Sequence, residues 1–376
     1  MKRPSLLIIA DSETDADMRF ALGVSVSERA VFLRTGGRSI ALMSDGDVSR
    51  ARAESPVGRI DSVSRYLRKA ERSGMVSPGL AQVAFLLCKE HRVRKLSVPH
   101  LFPAGFAKQL RKLGIRVKVR DGHFFREREF KTPVEVRKIV AAMGMAEVGM
   151  SEGLHALRRA KIGPGRQLIL HGGPLTCEKL RAIIDTGVTQ AGGIPQHTLV
   201  AGGIQTCDPQ GPGTGPLLAQ SPILIDIRAR SVRTGYHGRL ARTVVRGHAP
   251  EALRQQYETV RKAQEIALTS LRPDQPVRQI HDRLRRFFLS EGFRTRISGR
   301  QPSGFLQATG NGIGLEAAEI PTLHGTSRDV LQPGHVVTVH PGLYYPGTGG
   351  VRLADVIRVT EGDPENLTQF EKVLEI

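Results

Sequence analysis

The sequence predicts an α/β protein of two domains, a small N-terminal α/β domain over residues 1–126 and a larger α+β domain over residues 127–376. Three observations carry this. Residues 1–126 alternate short apolar runs with amphipathic stretches, the pattern of a small mixed sheet with helices on its faces. A helix-start signature at Thr132-Pro133-Val134-Glu135 opens a new unit. After it, a helix, helix, strand, strand order occurs twice within about 245 residues, which predicts an internal pseudo-two-fold duplication although no residue-level repeat is visible.

Taken in order, LLIIA, AVFLR and SIALM read as strands, Ala81 to His91 as a helix, and KLSVP and IRVKVR as further strands. In the last of these, Ile115, Val117 and Val119 alternate with Arg116, Lys118 and Arg120, so one face is expected in the core and the other carries a row of cations. The helix opened at Thr132 runs through Val136, Ile139, Met143 and Val148 to about Leu157. A second helix begins at Thr176, carries Leu180, Ile183 and Ile184, and stops at Gly192-Gly193. Strands are expected at Leu199-Val200 and in a hairpin over residues 221–247, then helices at about 249–270 and 277–290, then strands at 335–340 and 353–360.

Hydrophobic content of 40% and charged content of 24% are ordinary for a globular chain. Cys88, Cys177 and Cys207 are too few and too scattered for a disulfide framework or a zinc site, which points to a reducing cytoplasm. The apolar run Leu6 to Ala10 is too short for a signal peptide or a membrane span and reads as the first strand. The net charge of +19 is the anomaly: residues 1–120 hold 23 Lys and Arg against 11 Asp and Glu. The bland reading is a solvated arginine-rich surface. The sharper one is a polyanion or nucleic-acid face made of Lys108, Arg111 and Lys112 on a helical stretch and Arg116, Lys118 and Arg120 on the strand that follows. No aromatic residues interleave these cations, so binding there would be independent of sequence.

The hairpin SPILIDIRARSVRTGYHGRLARTVVRG organises the second domain. Ile223, Leu224, Ile225 and Ile227 form one β-branched run, interrupted by Asp226, and Ala241 to Val245 belong to the next. If the chain turns about residues 232 and 233, Asp226 and Arg239 are equidistant from the turn and fall opposite each other on one face.

This stretch resembles the pita-bread metallopeptidases, a family that includes Xaa-Pro aminopeptidase, prolidase, methionine aminopeptidase and the metal-free creatinase. The resemblance implies a pita-bread, creatinase-like fold for residues 127–376 and a smaller creatinase-like domain before it. In active members two carboxylates on this hairpin hold a pair of divalent metal ions. Asp226 stands at the first of those positions and Arg239 at the second, framed by Gly235, Tyr236, Arg242, Thr243 and Gly247. TGNGIGLEAAEIP, residues 309–321, places Asn311 where the family has a ligating histidine. VVTVHPGLYYPG, residues 336–347, places His340 at a glutamate position, and GGVRLADVIRVT, residues 349–360, places Ala354 at the last one. Asp355 cannot substitute for it, because one residue along a strand reverses the face. Where the family has cleft histidines the chain has Gln210, Gln307 and Ala318; Tyr236 and Arg352 complete the implied cleft, and Glu319 is kept. The histidine on which creatinase relies corresponds to Gln210.

A two-metal hydrolase needs bridging carboxylates that hold the ions about 3.5–4 Å apart. An arginine is always protonated and repels a cation, and an alanine offers no donor. The expectation is therefore a member that has lost its metal site and takes no cofactor. Asp226 with Arg239 alone sums to zero charge, as four carboxylates with two divalent ions do. Three roles follow: a non-catalytic scaffold, regulatory subunit or peptide binder; a weak or altered hydrolase, either a one-metal peptidase using Asp226 and His340 or a metal-free hydrolase of different substrate; or a polyanion binder. For His340 the competing reading is a hydrogen-bonded core histidine, and for Glu319 it is a support for the helix or loop near Pro321 rather than a base. The resemblance further implies a homo-oligomer, such as a dimer, or a heteromer with an intact relative.

Overall fold

The apolar runs at the start of the chain become neighbouring strands because each alternates its side chains between two buried faces. The computed structural model describes residues 4–120, 122–298 and 301–376, and divides into two compact units, Met1–Arg128 and Glu129–Ile376. In the first unit β1 (Ser5–Ala10), β2 (Ala30–Thr35), β3 (Arg38–Met43), β4 (Arg59–Ser62), β5 (Lys95–Pro99) and β6 (Arg116–Arg120) make a mixed sheet in the order β4-β3-β2-β1-β5-β6. Leu7 and Ile9 point to one core, packed by α3 (Val63–Arg72), α4 (Leu80–Glu90) and α5 (Ala104–Lys112). Leu6 and Ile8 point to the other, which contains Met18 and Leu22 of α1 (Ala16–Leu22), Ala51 of α2 (Asp45–Glu54), Phe124 and Phe125.

The expected alternation in β6 is realised only in part. Ile115 is buried, but Val119 is 41% exposed, because β6 is a sheet edge that lacks cover at its far end. Arg116 and Lys118 are exposed there, and charged side chains on an edge strand discourage pairing with another sheet. Arg111 and Arg120 donate to the carbonyls of Val117 and Phe124, while Lys108 and Lys112 are exposed on α5.

The second unit begins with α6 (Pro133–Arg159), and its capping box closes as the residues predict: Thr132 accepts from the Glu135 amide and Glu135 from the Thr132 amide. Val136, Ile139, Met143, Met150 and Leu157 are buried along it. Val148 is 43% exposed, a correction to the expected apolar stripe, since five residues beyond Met143 the helix has turned well off that face. The helix α7 (Cys177–Gln190) packs closely on α6 because Gly149 and Gly153 leave room for Val188 and Ile184, which a Cβ would meet at 2.6 and 2.8 Å.

A small sheet of β7 (Lys161–Ile162), β8 (Leu168–Leu170) and β9 (Gly173–Pro174) precedes β10 (Gly193–Pro195) and β11 (Leu199–Gly202), which flank β12 (Ile223–Ser231); β13 (His237–Val244) pairs with β12 in turn. After α8 (Glu251–Thr269) and α9 (Val277–Ser290), the strands β14 (Gly310–Gly312), β15 (Glu319–Leu323), β16 (Val336–Val339), β19 (Asp355–Arg358) and β20 (Glu365–Asn366) form a five-stranded sheet in the order β15-β14-β16-β19-β20. A separate ribbon is made by β17 (Gly342–Tyr345) and β18 (Gly349–Arg352). The short strands β14, β15, β17 and β18 escape a reading of hydrophobic runs because Gly, Asn and Pro punctuate them. Reciprocal backbone hydrogen bonds between Ala241 and Ala354 bring the two halves of this unit together. Among the described residues no helix is long and apolar enough to cross a membrane.

Gly238 fixes how closely α6 lies on β13: a Cβ there would sit 2.6 Å from the backbone of Ala142 and Met143. Gly238→Ala is expected to destabilise the chain by roughly 1–3 kcal/mol. Gly144→Ala, on the same helix with nothing within 4 Å of the new Cβ, should stabilise it by about 0.5–1 kcal/mol. Urea unfolding of the two variants tests both signs, and a neutral Gly238→Ala would show that the helix is not held at this point.

Candidate functional site

The paired register of β12 and β13 places Asp226 across from Ala241 and Arg228 across from Arg239. Direct opposition of Asp226 and Arg239 is therefore not observed. The Ser231 amide bonds to the Tyr236 carbonyl, so pairing is centred one residue later than a turn about residues 232 and 233 implies. That shift moves the partner by two residues, which preserves the face and makes Arg239 a diagonal neighbour of Asp226. An arginine is long enough to close the diagonal: its Nε donates to Asp226 Oδ1 at 3.1 Å and its Nη2 to Oδ2 at 2.7 Å.

A second arginine completes the cluster. Arg352, at the end of β18, donates from Nη1 to Asp226 Oδ2 at 2.6 Å and is itself fully buried. Its Nε donates to the Tyr344 hydroxyl at 2.8 Å, and its Nη2 to the Pro209 carbonyl at 2.7 Å and Gln307 Oε1 at 2.8 Å. Burial opposes ionisation of Asp226, yet the charges of Arg239 and Arg352 outweigh it and hold this carboxyl far below the ordinary carboxylate range. Burial also disfavours charge on Arg352, but Tyr344 and Asp226 more than offset it and hold the guanidinium above its usual value.

His340 follows β16 and is 5% exposed. Arg239 Nη1, which can only donate, lies 3.3 Å from His340 Nδ1, so that nitrogen is the acceptor and the ring is neutral with its proton on Nε2. Burial, then Arg239 and Arg352, push this imidazole well below its normal pKa. Thr338 Oγ1 lies 3.2 Å from the same nitrogen and donates to the Asn311 carbonyl. A further cation stands on the face of Asp226: Arg228, part-buried, whose pKa is lowered by desolvation and by Arg239 and Arg352. The neutral sum expected from Asp226 and Arg239 is thus corrected, because Arg239 and Arg352 both bond to Asp226 and a third arginine, Arg228, stands on the same face without bonding to it.

The remaining positions are placed as follows. The Asn311 side chain donates to the carbonyls of Gly312 and Ala317, and Ala354 is buried in the bridge to Ala241. Asp355 lies on the opposite face, in ion pairs with Arg242 at 2.9 Å and Lys372 at 2.7 Å that lack aligned hydrogen-bond geometry. Gln307 reaches the cluster through Arg352, whereas Gln210 and Ala318 are exposed on loops. Tyr236 donates its hydroxyl to Glu135 Oε1 at 2.7 Å, and Lys138 lies over its ring. Glu319 is buried against Lys131 at 2.8 Å and accepts from the Glu316 amide, which ties the start of α6 to the loop before β15. Lys131, Tyr344 and Arg228 were not read as site residues. Arg228 carried a legible signal, since it sits two residues from Asp226 on a strand and so shares its face.

The family resemblance implies two divalent ions here, and the donor set does not fit them. Both oxygens of Asp226 are engaged by guanidinium groups, Arg239 and Ala354 supply no lone pair, and the Asn311 amide nitrogen donates to backbone.

The pattern of metallopeptidase family M24 matches residues 137–361. Curated relatives include an uncharacterized peptidase, YqhT, of Bacillus subtilis, 32% identical over 176 residues that make up 47% of each chain. The Xaa-Pro dipeptidase of Pyrococcus furiosus is 28% identical over 177 residues, 47% of this chain and 48% of that one. The chain thus spans about half the length of the curated relatives it matches. Among solved structures, the Xaa-Pro dipeptidase from Bacillus anthracis superposes with a TM-score of 0.82 at 20% identity, covering 99% of this chain and 95% of that one. The X-Pro aminopeptidase from Thermotoga maritima gives 0.82 at 18% identity over 99% and 97%. These likenesses establish the shared fold.

Two outcomes follow from the cluster and its surroundings. Asp226→Ala strands Arg239 and Arg352 without their carboxylate and should cost about 3–5 kcal/mol, whereas Arg239→Met leaves Asp226 paired with Arg352 and should cost clearly less. Equal losses in urea unfolding would show that Arg352 does not share the carboxylate. Separately, burial pushes His237 and His335 down to about 4. Their unfolded forms take up protons near pH 6.5, so stability is complete above that pH and falls as pH drops toward 4, by on the order of 1 kcal/mol per imidazole at pH 5.5. The double variant His237→Gln with His335→Gln should flatten the urea-midpoint profile between pH 7.5 and 5.5; an unchanged profile assigns the acid sensitivity elsewhere.

Proposed function

Because the chain belongs to metallopeptidase family M24, we propose that it is a member in which buried ion pairs stand in place of the metal ions, and that it binds peptide or a protein partner without hydrolysing it. The observation that carries this reading is the engagement of both Asp226 oxygens by Arg239 and Arg352. A water held between two cations is the nucleophile of a dinuclear hydrolase. Here the positive charge near Asp226 sits on guanidinium groups, which neither acidify a bound water nor coordinate a peptide carbonyl. A one-metal hydrolase using Asp226 and His340 is disfavoured by the same contacts, since His340 Nδ1 faces Arg239. The cations of β6 have a sufficient reason in their place on a sheet edge, so polyanion binding is a weaker proposal.

Elemental analysis of the purified chain is expected to find no stoichiometric divalent metal, and Xaa-Pro peptides are expected to remain uncut. Manganese, cobalt or zinc at one or two ions per chain, with chelator-sensitive cleavage that Asp226→Ala abolishes, would overturn the proposal. Conversely, Arg239→Asp, Asn311→His, His340→Glu and Ala354→Glu together should restore measurable metal affinity in a calorimetric titration.

A further inference from the structure

The excess of cations around Asp226 points to a ligand. Arg228 lies directly across from Arg239 in the paired strands, on the face of Asp226. Like charges directly opposed on a sheet are destabilising. Asp226 is already shared by Arg239 and Arg352, and Asp355 faces away toward Arg242 and Lys372. Glu319 is committed to Lys131, and His340 is an uncharged acceptor. Among the described residues the Arg228 guanidinium has neither a hydrogen bond nor an ion pair, although the residue is part-buried. Two guanidinium groups therefore share one carboxylate, and the third, Arg228, stands on the same face with its donors unused.

We infer that this cluster is an oxyanion site in which Arg228, flanked by Arg239 and Arg352, takes a carboxylate or phosphate group of a bound ligand. The inference rests on the metal-free reading above and names the ligand class of the same site. The planar guanidinium fork matches such oxyanions with two parallel hydrogen bonds, and the excess positive charge supplies the long-range attraction. The shared chemistry comes from two sources, the carboxylate of an acidic or C-terminal peptide residue and free phosphate. Asp226 then acts as a positioning residue: it aligns Arg239 and Arg352 and leaves Arg228 for the ligand.

The full chain should be titrated calorimetrically, at fixed ionic strength in sodium chloride, with inorganic phosphate and with N-acetylglycyl-aspartate, N-acetylglycyl-asparagine amide serving as the uncharged control. Saturable binding of phosphate, of the acidic dipeptide, or of both supports the site and identifies the source, provided that Arg228→Gln weakens it by about tenfold or more. Without ligand, Arg228→Gln should melt higher than the parent by a few degrees, because a part-buried like charge has been removed. Metal-free protein that binds neither probe, or an Arg228→Gln variant that binds as tightly as the parent, overturns this inference alone. Stoichiometric divalent metal in the purified chain overturns the reading on which it rests.

Discussion

A carboxylate with no exposed surface stays ionised only if charged donors replace the water it has lost, and Asp226 meets that condition through three contacts from two arginines. The surroundings are arranged to deliver those contacts. Arg239 comes from the paired strand, and its amide faces the sulfur of Met143 on α6, where Gly238 allows close approach. Arg352 comes from the ribbon that follows β16 and is held by Tyr344, Gln307 and the Pro209 carbonyl. Its own amide donates to Thr243 Oγ1, so the carboxylate of one half and a guanidinium of the other meet through fixed backbone.

On the metal-free reading proposed above, a fold shared with metallopeptidases persists with arginines at part of the family's donor set. In a dinuclear site the buried anions are tied together by cations that the protein does not supply. Here Asp226 is held by cations that are covalently part of β13 and β18. Neutral His340 fits this exchange, because a carboxylate at its position would compete with Asp226 for Arg239, whereas an imidazole only accepts from it. A buried cluster of this kind need not add net stability over a hydrophobic isostere, but once formed it makes loss of the shared carboxylate costly.

A second buried pair serves a structural end. Lys131 and Glu319 lie 2.8 Å apart with almost no exposed side-chain surface, and the Lys131 amide donates to the Gly334 carbonyl. Stacking of Phe130 on His335 adds to the same corner. These contacts anchor the segment that leads into α6, which in turn supports β13 through Gly238. Glu319 thus makes its buried contact with a partner that is 188 residues away in sequence.

The sequence by itself determined what local chemistry controls. The alternating runs of β1 to β3, the capping box at Thr132 and Glu135, the helices α6 to α9 and the face shared by Asp226 and Arg239 all follow from periodicity and side-chain geometry within a few residues. The residues that the family resemblance maps to ligand positions on the hairpin were legible because Gly235, Tyr236, Arg242 and Thr243 frame them in the chain. What only the tertiary structure decided depends on distances between remote segments. The hairpin register moved Arg239 from opposite Asp226 to its diagonal, since the length of the turn is set by hydrogen bonds that composition does not encode. Arg352 reached Asp226 from 126 residues away, and the buried partner of Glu319 was likewise hidden from any local pattern. The sign of the cluster, two arginines on one carboxylate with a third beside them, emerged only when both halves were folded together, because charge balance at a buried point is a sum over everything that packs around it.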